Sequence, residues 1–169
     1  MWNDTDIPLA YLLTFRCYGT WLHGDIRGSV DRNHNAFRSA RLDHEPARKG
    51  FVRTIIKHEA VILDANRRAS VEKAIQDACS FRNWHLHALN VRTNHVHAVV
   101  ASGDKRPEGV LNALKANATR QMREEGLWSH EHSPWAEKGS NRYLWNERSV
   151  WEACNYVLNE QGDDLPNFE

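Results

Sequence analysis

The segment at residues 91–100 constrains the fold of this chain more than any other stretch. Apart from His97, residues 96–100 are β-branched or small and apolar, which predicts a buried strand. Side chains alternate along a strand, so His95 and His97 point to one face while the valine between them points to the other. Two neighbouring imidazoles form half of a site for a divalent cation, although such a pair is equally often structural.

The rest of the chain predicts a single α+β domain over residues 1–169. Strand patterns occupy residues 9–16, 84–91, 94–100 and a short piece at 142–145. Helical periodicity occupies residues 66–81, 107–125 and a last helix that begins at Asn146 or Ser149 and stops at Gly162. Residues 24–50 read as a long loop excursion, and residues 55–63 as a short extra strand or a lead into the first helix.

This order of elements is βαββαβ followed by one further helix. It predicts a ferredoxin-like or RRM-like antiparallel sheet with helices on one face, plus a C-terminal helix that carries a tyrosine.

Composition narrows the functional class. No stretch approaches the roughly 18 apolar residues of a membrane span, and the N-terminus does not resemble a signal peptide. The three cysteines are widely spaced and form no CxxC pair, which is typical of a cytoplasmic protein with reduced thiols. Basic and acidic residues both total 22, which argues against binding nucleic acid by bulk charge alone.

A second His-x-His pair, His85 and His87, lies on the preceding strand. If Val91 pairs with His95 across the hairpin, His87 lies opposite Val99 and shares the face of the first pair. A shift of one residue places His87 on the other face. The sequence leaves this register open, so His87 is interpreted as a supporting or DNA-facing group rather than as a primary ligand.

The last helix has a polar tyrosine beside its apolar stripe. At about 100° per residue, Tyr156 lies roughly 130° from that stripe, and Glu160 lies one turn further on the same side. The stripe consists of Val150, Ala153, Cys154, Val157 and Leu158. A tyrosine in this position is not simply filling the core, although surface tyrosines are common.

These features together resemble a known family. Residues 94–97 (Asn-His-Val-His) resemble the His-hydrophobe-His, or HUH, signature of the single-tyrosine transposases of small insertion sequences, most closely the REP-associated tyrosine transposases. Residues 13–19, 114–120 and 156–161 are also similar to family stretches, and the resemblance spans residues 8–162.

The resemblance implies a metal-dependent endonuclease for single-stranded DNA. Tyr156 would attack a phosphodiester and leave a 5′-phosphotyrosine link, while His95 and His97 would hold Mg²⁺ or Mn²⁺. A phenol with a pKa of about 10 is a poor nucleophile at neutral pH, and a cation beside the phosphate helps the attack. Magnesium prefers oxygen ligands, so Glu160 is the expected third ligand and Gln161 its substitute.

The implied partner is single-stranded, hairpin-forming DNA, and a homodimer is compatible with the sequence. The DNA contacts expected from the resemblance are Arg16, Lys115, Arg120 and Arg123. Formal neutrality and the excursion at 24–50 both depart from the family pattern.

Two other functions remain open at this point. A domesticated relative could have lost cleavage and kept an RRM-like sheet that stacks bases on aromatic side chains, for which seven tryptophans offer material. A hydrolytic phosphoesterase could use the histidine pair without Tyr156.

Overall fold

The computed structural model describes residues 6–19 and 58–161, which form an antiparallel sheet of four strands in the order β2-β3-β1-β4. The strands are β1 (Ala10–Cys17), β2 (His85–Val91), β3 (His95–Ala101) and β4 (Trp135–Leu144). The helices are α1 (Ala65–Phe81), α2 (Pro107–Glu124) and α3 (Glu147–Asn159). This arrangement confirms the predicted βαββαβ order and the additional C-terminal helix.

Helices α1 and α2 pack together on one face of the sheet. Apolar residues recur in α1 with the helical period of 3.6 residues, so they fall on one face of the helix. The buried residues of α1 include this predicted stripe, which consists of Val71, Ala74, Ile75, Ala78 and Cys79. They meet the inward side chains of the two central strands, among them Leu13, Phe15, Val96 and Val100, to form the larger core. No helix within residues 6–19 and 58–161 is long and apolar enough to cross a membrane.

Helix α3 packs on the opposite face and covers only part of it. Ala153 and Val157 of α3 are fully buried against the apolar residues of that face. Those residues are Ala10, Leu12, Ala88, Val99 and Leu144. The strand pairing places Thr14, Arg16, His95 and His97 on the same face, further along the central strands. One sheet face therefore has an apolar part under α3 and a polar part beside it.

The fourth strand is much longer than predicted. It has ten residues, Trp135–Leu144, and not only residues 142–145. Residues 136–143 are partly or fully exposed, because β4 is an edge strand, so its sequence lacks the apolar run that identifies a buried strand. Gly139 is required by close approach: a Cβ there would lie 2.5 Å from the Thr14 carbonyl oxygen.

Of the two registers considered for the β2–β3 hairpin, the structure has the one that is shifted by one residue. Val91 pairs with Val96, and Ala88, not His87, lies opposite Val99. A bulge between Leu86 and Ala88 leaves His87 as the extra residue, and its side chain is exposed.

Several predictions concern residues outside the described part of the chain. The excursion at residues 24–50, residues 55–57 and the predicted helix stop at Gly162 all lie there. Residues 58–63 are described and contain no strand. Of the two alternatives for this segment, the structure therefore has the lead into the first helix.

Candidate active site

The structure brings His95, His97 and Tyr156 together at the junction between the two parts of the α3-covered face. The rings of His95 and His97 have centroids 4.7 Å apart, and the Tyr156 ring lies 5.5 Å from the His97 ring in an edge-to-face contact. His97 is buried, whereas His95 and Tyr156 are partly exposed. Residues separated by about 60 positions in the sequence therefore form one cluster that a substrate can reach.

Hydrogen bonds fix the orientation of both imidazoles. The side-chain oxygen of Asn94 accepts from Nδ1 of His95 at 2.6 Å, so the lone pair of the neutral ring is on Nε2. Nδ1 of His97 is 2.8 Å from the hydroxyl of Thr14, the residue directly opposite it on β1. Such contacts are typical of metal-binding histidines, because they set the tautomer and the direction of the second nitrogen.

Helix α3 is held in place at both ends. Asn146 caps its N-terminus and forms a reciprocal capping box with Ser149, so Asn146 is the start among the two predicted alternatives. Near its C-terminus, the amide of Asn90 donates to the carbonyl of Val157 at 2.9 Å. Asn90 lies opposite His97 on the neighbouring strand, so this bond ties the tyrosine helix directly to the histidine strand.

Glu160 lies one turn after Tyr156, as expected, and its backbone N–H donates to the Tyr156 carbonyl at 3.2 Å. Helix α3 ends at Asn159, and Glu160 is its C-cap, with a carboxylate that accepts from the Asn155 amide at 3.0 Å. Gln161 is partly buried and donates to the carbonyl of Tyr156 at 3.1 Å. Among residues 6–19 and 58–161, no group of three or more His, Cys, Asp or Glu side chains is arranged to hold a metal ion. The structure therefore does not bring Glu160 into a cluster with the two histidines.

The second histidine pair, His85 and His87, and another tyrosine of the sheet, Tyr143, lie elsewhere. His85 and His87 are exposed, with ring centroids 4.4 Å apart, and His85 pairs with Ala101 at the far end of β3. Partial burial, together with the neighbouring His85, lowers the pKa of His87. Tyr143 packs edge-to-face on Tyr11 at 5.1 Å, on the sheet face that α1 and α2 cover. Neither group contributes to the cluster around Tyr156.

Comparison with known proteins identifies the family. The profile of the IS200-like transposases matches residues 51–157, well over half of the chain. The chain belongs to the IS200-like transposase family. The cluster around Tyr156 is therefore the candidate active site of this family member.

Two solved structures are also similar to the transposase. One is a REP-associated tyrosine transposase bound to a REP hairpin, with 12% identity and a TM-score of 0.47 over 89% of this chain. The chain spans 66% of the length of that protein. The other is a Deinococcus radiodurans R1 protein assigned as a transposase, with 13% identity and a TM-score of 0.46 over 92% of this chain and 93% of the other. A search of curated proteins gave no match.

Of the four basic residues expected to contact DNA, Arg16 lies in the site of the transposase. It pairs with His95 across β1 and β3 and is partly buried on the same face. Burial lowers the pKa of Arg16, yet an arginine keeps its charge at neutral pH. No carboxylate within the described residues forms an ion pair with this guanidinium. A positive charge beside His95 therefore suits a phosphate.

Lys115 is buried inside the protein and does not lie exposed at the surface as a DNA contact would. Its side chain is buried, and its ammonium donates to a row of carbonyls at the start of β4. These are the carbonyls of Ala136, Glu137 and Lys138, at 2.9, 3.5 and 3.3 Å. Burial, and secondarily the charge of Arg16, lowers the pKa of Lys115 to about 8. Because these carbonyls surround the ammonium, the expected direct DNA contact does not fit this geometry.

Arg120 and Arg123 are exposed on α2, on the side of the sheet away from the histidines. Arg120 donates to Asn117 at 2.8 Å and approaches Glu124 at 3.9 Å. Arg123 donates to the carbonyls of His130 and Glu131. The structure does not bring either residue to the cluster around Tyr156.

Proposed function

We propose that this transposase cleaves and rejoins single-stranded DNA through a covalent link between Tyr156 and a 5′-phosphate. The observation that carries the proposal is the contact of the Tyr156 ring with the buried His97, 5.5 Å apart, at a site with solvent access. A tyrosine next to the predicted metal-binding histidines can meet a phosphodiester that those histidines help to position.

The proposed step is a transesterification. The Tyr156 oxygen forms a bond to phosphorus while the bond from phosphorus to the 3′ oxygen breaks. The phenol proton is lost, and the departing 3′ oxygen gains a proton to become a 3′-hydroxyl. Attack of a 3′-hydroxyl on the phosphotyrosine reverses these changes, so the strand is rejoined without an external energy source.

The donor set fits a divalent cation. His95 and His97 would hold Mg²⁺ or Mn²⁺ through imidazole nitrogens whose orientation is set by Asn94 and Thr14. An oxygen ligand would come from Glu160 or Gln161, and the side chain that binds would have to leave its present hydrogen bond to Asn155 or to the Tyr156 carbonyl. When bound, the cation would offset negative charge on the phosphate. Arg16, next to His95, would add a second positive charge for the DNA backbone.

The substrate would be single-stranded DNA next to a hairpin. A hairpin places a single-stranded segment at a defined distance from a folded duplex. This substrate is chosen for the test because one of the two structurally similar proteins, the REP-associated tyrosine transposase, is bound to a REP hairpin.

The first prediction concerns Tyr156. Incubation of the protein with single-stranded hairpin DNA and Mn²⁺ should give a protein–DNA adduct that survives denaturing electrophoresis. Tyr156→Phe should abolish the adduct and keep DNA binding, because only the nucleophilic oxygen is removed. Tyr143→Phe is the matched control and should retain the adduct, since Tyr143 packs on the opposite face of the sheet.

The other outcomes of this experiment would each point to a different nucleophile or a different function. An adduct in Tyr156→Phe would place the nucleophile elsewhere. Cleavage by the wild type without an adduct would indicate a hydrolytic phosphoesterase. Binding without cleavage would indicate a domesticated DNA-binding module.

The second prediction concerns the third ligand. Glu160→Ala and Gln161→Ala should be compared with wild type by calorimetric titration with Mn²⁺. If Glu160 is the ligand, its variant alone should bind Mn²⁺ at least tenfold more weakly. If Gln161 is the ligand, the loss should appear in that variant. Wild-type affinity in both variants would remove both residues from the site.

A further inference from the structure

A cavity of about 440 Å³ lies outside the cluster around Tyr156 and has no role in the chemistry proposed above. Its walls are rich in flat side chains, and we refer to it as the histidine–tryptophan pocket. The residues that matter here are His58, Glu59, Arg67, Trp128, His130 and His132. The volume falls in the usual range of about 300–1,000 Å³ for small-molecule sites.

The histidines of this pocket form a stack. His58 and His132 are nearly parallel, with ring centroids 3.9 Å apart and an interplanar angle of 8°. His130 stacks on His132 at 5.3 Å, and the Tyr18 ring lies 5.7 Å from His132. Trp128 supports the stack because its indole nitrogen donates to the His132 carbonyl at 2.9 Å. His58 and His130 are exposed, so another flat ring can extend the stack from solvent.

The charged groups favour a nucleobase over other ligands. Stacked rings lie face to face, so their nitrogens do not converge on a metal ion. The carboxylate of Glu59 repels a phosphate inside the pocket but can accept an N–H from a base edge. Arg67 lies over the Trp128 ring at 5.7 Å and is held by the carbonyls of Leu127 and Ile62. It supplies a fixed positive charge for the backbone that accompanies the base.

The pocket lies at the same end of the sheet as the histidine pair. Tyr18 follows directly after β1, two residues beyond Arg16, and its backbone bonds to Pro134 and Val61. The preceding residue, Cys17, donates its backbone N–H to the carbonyl of Asn94, the neighbour of His95. A DNA strand that contacts His95 and Arg16 therefore has to pass only around the end of β1 to reach the stacked rings.

We propose that the histidine–tryptophan pocket binds one unpaired base of the same DNA strand that Tyr156 cleaves. This inference rests on the proposed function and adds a second contact point on the substrate. The stacked base would hold the single-stranded segment in register with the scissile phosphate. Stacking is tolerant of sequence because every base has a flat face.

The test uses a DNA hairpin with a single-stranded extension, and binding is measured with the non-cleaving Tyr156→Phe protein. Each nucleotide of the extension is replaced in turn by an abasic nucleotide. We expect one position to lose affinity by between about 5-fold and 150-fold, the usual effect of losing a base–aromatic stack. Adding His58→Ala and His130→Ala should reduce that penalty to less than about twofold, since their exposed rings no longer receive the base.

The matched control adds His85→Ala and His87→Ala, another exposed and mutually packed pair at the far end of the sheet. This control should keep the full abasic penalty. The pocket proposal is overturned if no position shows a penalty, or if the penalty persists without His58 and His130. The adduct assay with the protein that retains Tyr156 reports separately on the proposed function, so failure of the pocket proposal can be distinguished from failure of the proposed function.

Discussion

Thr14→Val tests whether the hydroxyl on β1 orients His97 for metal binding. The hydroxyl of Thr14 lies 2.8 Å from Nδ1 of His97, and the two residues are direct partners across the sheet. Valine has nearly the same shape as threonine but lacks the oxygen. The substitution therefore removes one hydrogen bond and preserves the strand.

The expected effect is larger on metal binding than on stability. Loss of a partner that orients a metal-binding histidine typically lowers metal affinity by about 10- to 100-fold, which corresponds to about 1.4–2.7 kcal/mol. Loss of a single hydrogen bond typically lowers the free energy of unfolding by only about 0.5–1.5 kcal/mol. The Thr14→Val protein should therefore fold and bind DNA normally, whereas its affinity for Mn²⁺ should be low.

The assay is calorimetric titration with Mn²⁺, combined with the rate of adduct formation at increasing Mn²⁺. Thr14→Ser should restore most of the affinity because it restores the hydroxyl. Thr119→Val is the matched control: the Thr119 hydroxyl donates to the Lys115 carbonyl on the other side of the sheet, so its loss should leave metal binding unchanged. Wild-type Mn²⁺ affinity in Thr14→Val would refute the reasoning.

Two further substitutions test how the fold positions the site. Asn90→Ala removes the bond to the Val157 carbonyl, so DNA affinity should persist while the cleavage rate falls by up to about 100-fold through misplacement of Tyr156; an unchanged rate would contradict this. Gly139→Ala should lower the free energy of unfolding by about 1–3 kcal/mol, seen as a lower Tm, because the new Cβ meets the Thr14 carbonyl. Gly109→Ala has open space around it and should not lower the Tm, so an equal loss in both alanine variants would refute the steric argument.

The fold was predictable where hydrophobic periodicity is strong. The stripe of α1 and the apolar residues of β3 identify their elements because both are packed against the core. β4 was underestimated because its edge position leaves most of its side chains partly or fully exposed, including Glu137 and Lys138. Its length depends on pairing with β1, which is a tertiary contact that local sequence does not record.

The candidate site was predicted as a set of residue types but not as a set of contacts. His95, His97 and Tyr156 were proposed from strand alternation, helical spacing and the family resemblance, and the structure places them next to one another. The role of Asn90 depends on the β2–β3 register, which the hairpin sequence left open. The role of Thr14 depends on the pairing of β1 with β3, a contact between strands that are distant in the sequence. Lys115 was expected to contact DNA from the family resemblance, whereas in the structure its ammonium donates to three carbonyls of β4.

The position of Tyr156 is determined by the burial of the next residue along the helix. Val157 is fully buried in the small core under α3, and its carbonyl accepts from Asn90. A rotation of about 100° per residue then places Tyr156 at the edge of that core, where it is partly buried and its ring contacts His97. A slide of α3 by one turn would move the tyrosine by about 5.4 Å and also pull Val157 from its packed position. The packing that stabilises α3 therefore also opposes displacement of Tyr156, the proposed nucleophile, so core substitutions under this helix should change cleavage as well as stability.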